Sequence, residues 1–124
     1  MSETLNIDEQ IEQIDKDIEL QDWYIKRGEA LDRMIGTEDF KLVFIEGYLE
    51  IEAQRVFELL THPLTVKPED EKKYLSQLET IKNIGRYIGC ENYAGTVAIQ
   101  ASNAKKAKDD LIKMKQELIA GKGE

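Results

Sequence analysis

His62 and Cys90 are the only histidine and the only cysteine in 124 residues, and the pair could support one reaction type, attack by a thiolate that an imidazole activates. That chemistry needs the two side chains together in space with a third group orienting the histidine, and nothing in their spacing requires it. His62 precedes Pro63, where it is expected to end a helix and bond the terminal carbonyls. Cys90 is expected to pack as a small hydrophobe. Glu58 and His62 stand four residues apart on one helical face, with Glu46, Glu50 and Glu52 upstream, which raises a carboxylate metal site. The count fails, because bundle di-metal sites use two Glu-x-x-His motifs plus two further glutamates, so a solvated face is the better reading. Gly85, Gly89 and Gly95 form no phosphate loop, lacking the Gly-Lys-Ser/Thr step and a preceding strand; helix packing or a hinge is expected of them. We expect no catalytic residue, no cofactor and no metal, and thus no enzyme.

The elements that would carry these residues are helical. Charged residues make up 34% and aromatics 7% of the chain, a balance that suits exposed helices better than a sandwich or barrel. The two prolines, Pro63 and Pro68, stand close together and leave the rest free to be helical. A 41% hydrophobic content suffices for one modest core, so residues 1-124 are expected to form a single domain. No apolar run approaches the roughly 20 residues that span a bilayer, and the acidic start Met1-Ser2-Glu3 lacks a signal peptide's basic region. With a single cysteine, which excludes an internal disulfide, these features predict a cytoplasmic protein without membrane association.

Ile7, Ile11, Ile14, Ile18 and Ile25 alternate at spacings of four and three, with Gln21 at the missing step. This is a narrow seam that packs lengthwise against another helix. The first helix is expected over residues 5-35, capped by Ser2 or Thr4, with a bend or change of partner near Gly28. Gly36-Thr37-Glu38-Asp39 reads as a stop and restart: glycine for the left-handed C-terminal position, Thr37 as the next cap, then two acids. Residues 37-62 hold the densest apolar segment, and Phe40, Val43, Phe44, Tyr48, Leu49, Val56, Phe57 and Leu60 are expected to form the core, with a break at Gly47. After a short loop, Pro68 followed by Glu69, Asp70 and Glu71 opens the C-terminal helices of residues 68-120. Whether residues 70-119 make one helix or two stays open. Val97, Ala101, Ala104, Leu111, Met114 or Lys115, and Leu118 supply a last seam whose alanines permit close approach.

The net charge is -8, which argues against a general nucleic-acid binder. Its distribution is uneven: residues 1-62 carry sixteen acids and six bases, net -10, and residues 63-124 nine acids and eleven bases, net +2. Asp8, Glu9, Glu12, Asp15, Asp17, Glu19 and Asp22 flank the first seam. Lys105, Lys106, Lys108, Lys113 and Lys115 flank the last. Solvated faces are the ordinary fate of such runs; the alternative is that the two helices lie side by side with complementary flanks. Trp23 and Tyr24, with Lys26 and Arg27 behind them, make a contact patch, although burial over the bundle's own core is the commoner fate of a large aromatic.

Leu31-Asp32-Arg33-Met34-Ile35-Gly36-Thr37-Glu38-Asp39-Phe40-Lys41, Glu46-Gly47-Tyr48-Leu49 and Glu52-Ala53-Gln54-Arg55-Val56 together resemble a pattern of small, uncharacterised helical proteins of tailed bacteriophages. The resemblance covers about residues 31-90. It implies a phage setting, with either a virion or assembly role or an action on the host, and it carries over no catalytic residues. The residues and the resemblance together predict an all-α antiparallel helical bundle with long coiled-coil-like N- and C-terminal helices. Its expected role is non-enzymatic interaction by a phage assembly or virion-associated component. The expected protein interface is Ile7, Ile11, Ile14, Ile18, Trp23, Tyr24 and Ile25, and the partner a second copy or a phage structural protein. The alternative is an acidic protein that binds and inhibits a host protein. A DNA-packaging subunit would have only the lysines of 105-115 for contact.

Overall fold

The computed structural model describes residues 6-62, 67-89 and 94-122. The fold is all-α, with no strand among the described residues: α1 (Ile7–Ile35), α2 (Glu38–Phe40), a π-helical stretch (Lys41–Glu52), α3 (Ala53–Thr61), α4 (Pro68–Ile88) and α5 (Thr96–Lys122). Residues 70-119 therefore belong to two helices. By contact the chain divides into two compact units, Met1–Glu29 with Ile99–Glu124, and Ala30–Ala98.

Ser2 and Thr4 lie outside the described residues, and Asn6 caps α1 instead. Its Oδ1 accepts from the Glu9 backbone N–H at 2.8 Å while its Nδ2 donates to Glu9 Oε1 at 3.2 Å, a reciprocal arrangement that satisfies an otherwise unpaired first-turn donor. Asp8 and Glu9 sit at the positive end of the helix dipole. The helix runs through the buried Gly28 without interruption, and the division between the units follows at Glu29/Ala30. The expected change of partner occurs there within one continuous helix.

The stop and restart after α1 lies where the sequence puts it. Thr37 takes an extended conformation (φ -86°, ψ 144°); its Oγ1 accepts from the Phe40 N–H at 3.2 Å and donates to the Met34 carbonyl at 2.8 Å. Gly36 is not left-handed, however; the positive φ among described residues belongs to Gly89, at 85°. Thr37→Ala should cost about 1 kcal/mol, since it strips the cap from Phe40, and Thr37→Ser should restore most of it in thermal denaturation.

In the Ala30–Ala98 unit the expected break at Gly47 does not occur. The helix instead widens to i→i+5 bonding over Lys41–Glu52, far longer than the single-turn bulges in which this winding usually occurs. Gly47 sustains it: a Cβ there would lie 2.8 Å from the carbonyl oxygen of Leu42, five residues back. Wider winding also displaces an apolar stripe written at α-helical spacing, so the expected core is only partly formed. Phe40 and Val56 are buried, together with Ile81 of α4 and Val97 of α5, whereas Val43, Phe44 and Phe57 are exposed. Phe44 stacks on Phe40 with ring centroids 5.0 Å apart.

Pro68 opens α4 at its first turn with Glu69, Asp70 and Glu71 behind it. The three glycines close it: the Gly89 N–H bonds the Gly85 carbonyl at 2.7 Å, Leu49 rests 3.6 Å from where a Gly85 Cβ would be, and Gly95 abuts the Gly89 backbone. They serve packing, one of the two roles expected of them.

Candidate interaction face

The terminal-helix unit sets α1 against α5. Lys115 Nζ lies 2.7 Å from Asp15 Oδ1 and Lys108 Nζ 2.6 Å from Asp22 Oδ1, and Arg27 donates to Gln100 Oε1. Residue numbers rise along one helix as they fall along the other, so the pair is antiparallel. Asp22 follows Asp15 by seven residues and Lys108 precedes Lys115 by seven, so one register holds over two turns. The acidic and basic flanks thus meet within the chain, the less common of the two fates weighed for them. Exposed pairs of this kind contribute only about 0.2–1 kcal/mol each and weaken with salt; they set register more than they supply stability.

The isoleucine seam carries the burial. Ile14 is buried, Ile7, Ile11, Ile18 and Ile25 are half-buried, and Ala101 and Ala104 of α5 are buried. At 100° per residue, Asp15 and Asp22 stand on one side of the seam and Gln10, Gln13 and Asp17 on the other. The first side is bridged by the two ion pairs. The second is an open groove of about 460 Å³ between α1 and α5, lined by Gln10, Gln13, Ile14 and Asp17 with Leu111, Met114, Glu117 and Leu118.

Leu20 of α1, 49% exposed, and half-buried Tyr24 and Ala107 continue that side by helical position. Trp23, expected over the core, is 53% exposed and packs edge-on to Tyr24 at 5.4 Å. The Arg27 guanidinium lies 4.8 Å from the Trp23 ring centre and 5.4 Å from that of Tyr24, a cation–π arrangement that holds the aromatics at the surface. Leu20 was not singled out from sequence as part of a face, and Met114 entered only as the alternative to Lys115 in the last seam. The signal exists for Leu20, since 20, 23, 24 and 27 have the i, i+3, i+4, i+7 spacing of a second stripe.

His62 ends α3, Cys90 lies outside the described residues, and among the described residues no three His, Cys, Asp or Glu side chains gather to hold a metal ion. Glu52 and Arg55 form an exposed bidentate pair at 2.6 and 3.0 Å. The hydrogen bond from Arg55 holds the Glu52 carboxyl below the usual carboxylate range, against an opposing effect of desolvation and with the Arg55 charge adding to it. No helix among the described residues is long and apolar enough to cross a membrane. In the Ala30–Ala98 unit, Leu42, Val43, Ile51, Phe57 and Leu75 are each more than half exposed. Comparisons with protein-family models, with curated proteins and with solved structures found no match.

Proposed function

We propose that this protein is a non-enzymatic helical interaction protein that self-associates, acting as an assembly or virion-associated component of a tailed bacteriophage in the host cytoplasm or the virion. The observation that carries the interaction reading is the open apolar side of the α1–α5 pair, where Met114 is 50% exposed beside Ile14, Leu111 and Leu118. Apolar surface gathered in one groove marks binding, whereas scattered apolar residues do not. The phage setting rests on the resemblance of residues 31-90.

The second reading, an acidic inhibitor of a host protein, needs the carboxylates of residues 8-22 to face outward. Asp15 and Asp22 are held by the chain's own lysines, which leaves that reading with Asp8, Glu9, Glu12 and Glu19 as exposed acids. The same two pairs occupy Lys108 and Lys115, two of the five lysines available for DNA contact. Light scattering across a concentration series decides between the readings. Self-association predicts a mass that rises to a defined multiple of 14.3 kDa. A monomer throughout, with salt-sensitive capture of one host protein, would replace our reading with the inhibitor.

A further inference from the structure

Resting on that self-association, we propose that two copies meet through the open groove, α1 of each lying over α5 of the other, about a two-fold axis parallel to the helices. The result is a four-helix layer pair in which the Asp15–Lys115 and Asp22–Lys108 edges both face away from the junction.

The area is adequate for a second copy. At 1.5 Å rise, Ile7 to Glu29 spans about 34 Å, and two adjacent helices are about 20 Å wide, so the face offers about 700 Å² per copy, near the ~800 Å² that each partner gives a standard interface. The face is also self-complementary in charge. A two-fold axis along the helices preserves height, so the register of the ion pairs places Asp17 of one copy level with Lys113 of the other. It places Lys16 about 4.5 Å along the axis from the height of Glu117 of the second copy, within reach of a lysine side chain. Lys113 and Glu117 are exposed, and Lys16 meets only Glu12, in a solvated contact at 3.7 Å. Each pairing occurs twice by symmetry, as an isologous interface requires. Between these rims lie Ile14, Leu20, Leu111, Met114 and Leu118, apolar on both sides of the junction, with Met114 able to adjust its shape to the opposing copy.

Charge exchange tests the geometry. Lys16→Glu sets acid against Glu117 of the second copy, and Glu117→Lys sets base against Lys16, so each variant alone should dimerise about tenfold more weakly than wild type. An equimolar mixture of the two should recover wild-type affinity as a heterodimer, because both contacts are again opposite in sign. Met114→Glu should dissociate the dimer with helical circular dichroism unchanged. A wild-type oligomer that tolerates all three substitutions, or variants that do not rescue each other on mixing, would overturn this face while leaving self-association intact. A wild-type monomer at every concentration would overturn both and assign the groove to another protein.

Discussion

Gly95→Ala should destabilise the Ala30–Ala98 unit by about 3 kcal/mol, at the upper end of overpacking costs, and lower its melting midpoint by about 20 °C. The added Cβ would lie 2.5 Å from the Gly89 nitrogen and 2.8 Å from both Gly89 Cα and the Arg86 carbonyl oxygen. All three are backbone atoms, so no rotamer change relieves the clash. They are also held in place, since the Gly89 N–H is bonded to Gly85 and Gly89 has the positive φ that ends α4. The start of α5 must therefore move away from the end of α4, taking with it Val97, which is 1% exposed. Gly121→Ala is the control: its Cβ meets nothing within 4 Å, so helix propensity alone should act and the change should be neutral or slightly stabilising. Equal melting curves for Gly95→Ala and wild type in far-ultraviolet circular dichroism would show that the two helix ends do not approach as described.

Local signals in the sequence were legible where one residue does one job. Thr37 caps, Pro68 opens a helix, and the isoleucine seam lies along α1, because each depends on neighbours within a turn. The π-helical stretch was not legible. Its wider winding turns on how Gly47 admits the Leu42 carbonyl, and the same glycine can equally end a helix. With the winding misread, the stripe from Phe40 to Leu60 was assigned to one face, and Val43, Phe44 and Phe57 were expected inside. For Trp23, where burial was the favoured of two readings, the reason is different. Its surface position depends on Arg27, whose stacking competes with burial, and a preference for burying aromatics carries no information about such a neighbour. The candidate face was half legible: the isoleucine spacing pointed to a helix packed lengthwise on another, but which edge of the helix pair stays open depends on which aspartates find lysines across the seam. That is a property of register, fixed by both helices together.

Ile14→Asp should cost the terminal-helix unit about 4 kcal/mol. Removing a buried isoleucine forfeits about 2–3 kcal/mol of apolar burial, and a carboxylate at a position only 6% exposed adds the penalty of a charge without a partner. The neighbours increase it, since Asp15 and Asp17 adjoin the site and the nearest α5 residues across the groove are Leu111, Met114 and Leu118. Without that central contact the ion pairs cannot hold α1 to α5, and each helix loses the packing of its apolar face, from which most helical stability in a protein comes. Helical circular dichroism should therefore fall, and the emission of Trp23, the single tryptophan, should change with it, because its packing on Tyr24 and Arg27 belongs to the same unit. Ile14→Val, which removes one methylene, should cost only about 1 kcal/mol and leave both signals near wild type. The pattern of loss separates two roles for the seam. Simultaneous loss of helicity and altered tryptophan emission means that α1 and α5 of one chain hold each other through it. Dissociation of an oligomer with full helicity retained would mean that the isoleucines bind another chain, and the register built on Asp15–Lys115 and Asp22–Lys108 would then have to be reassigned between copies.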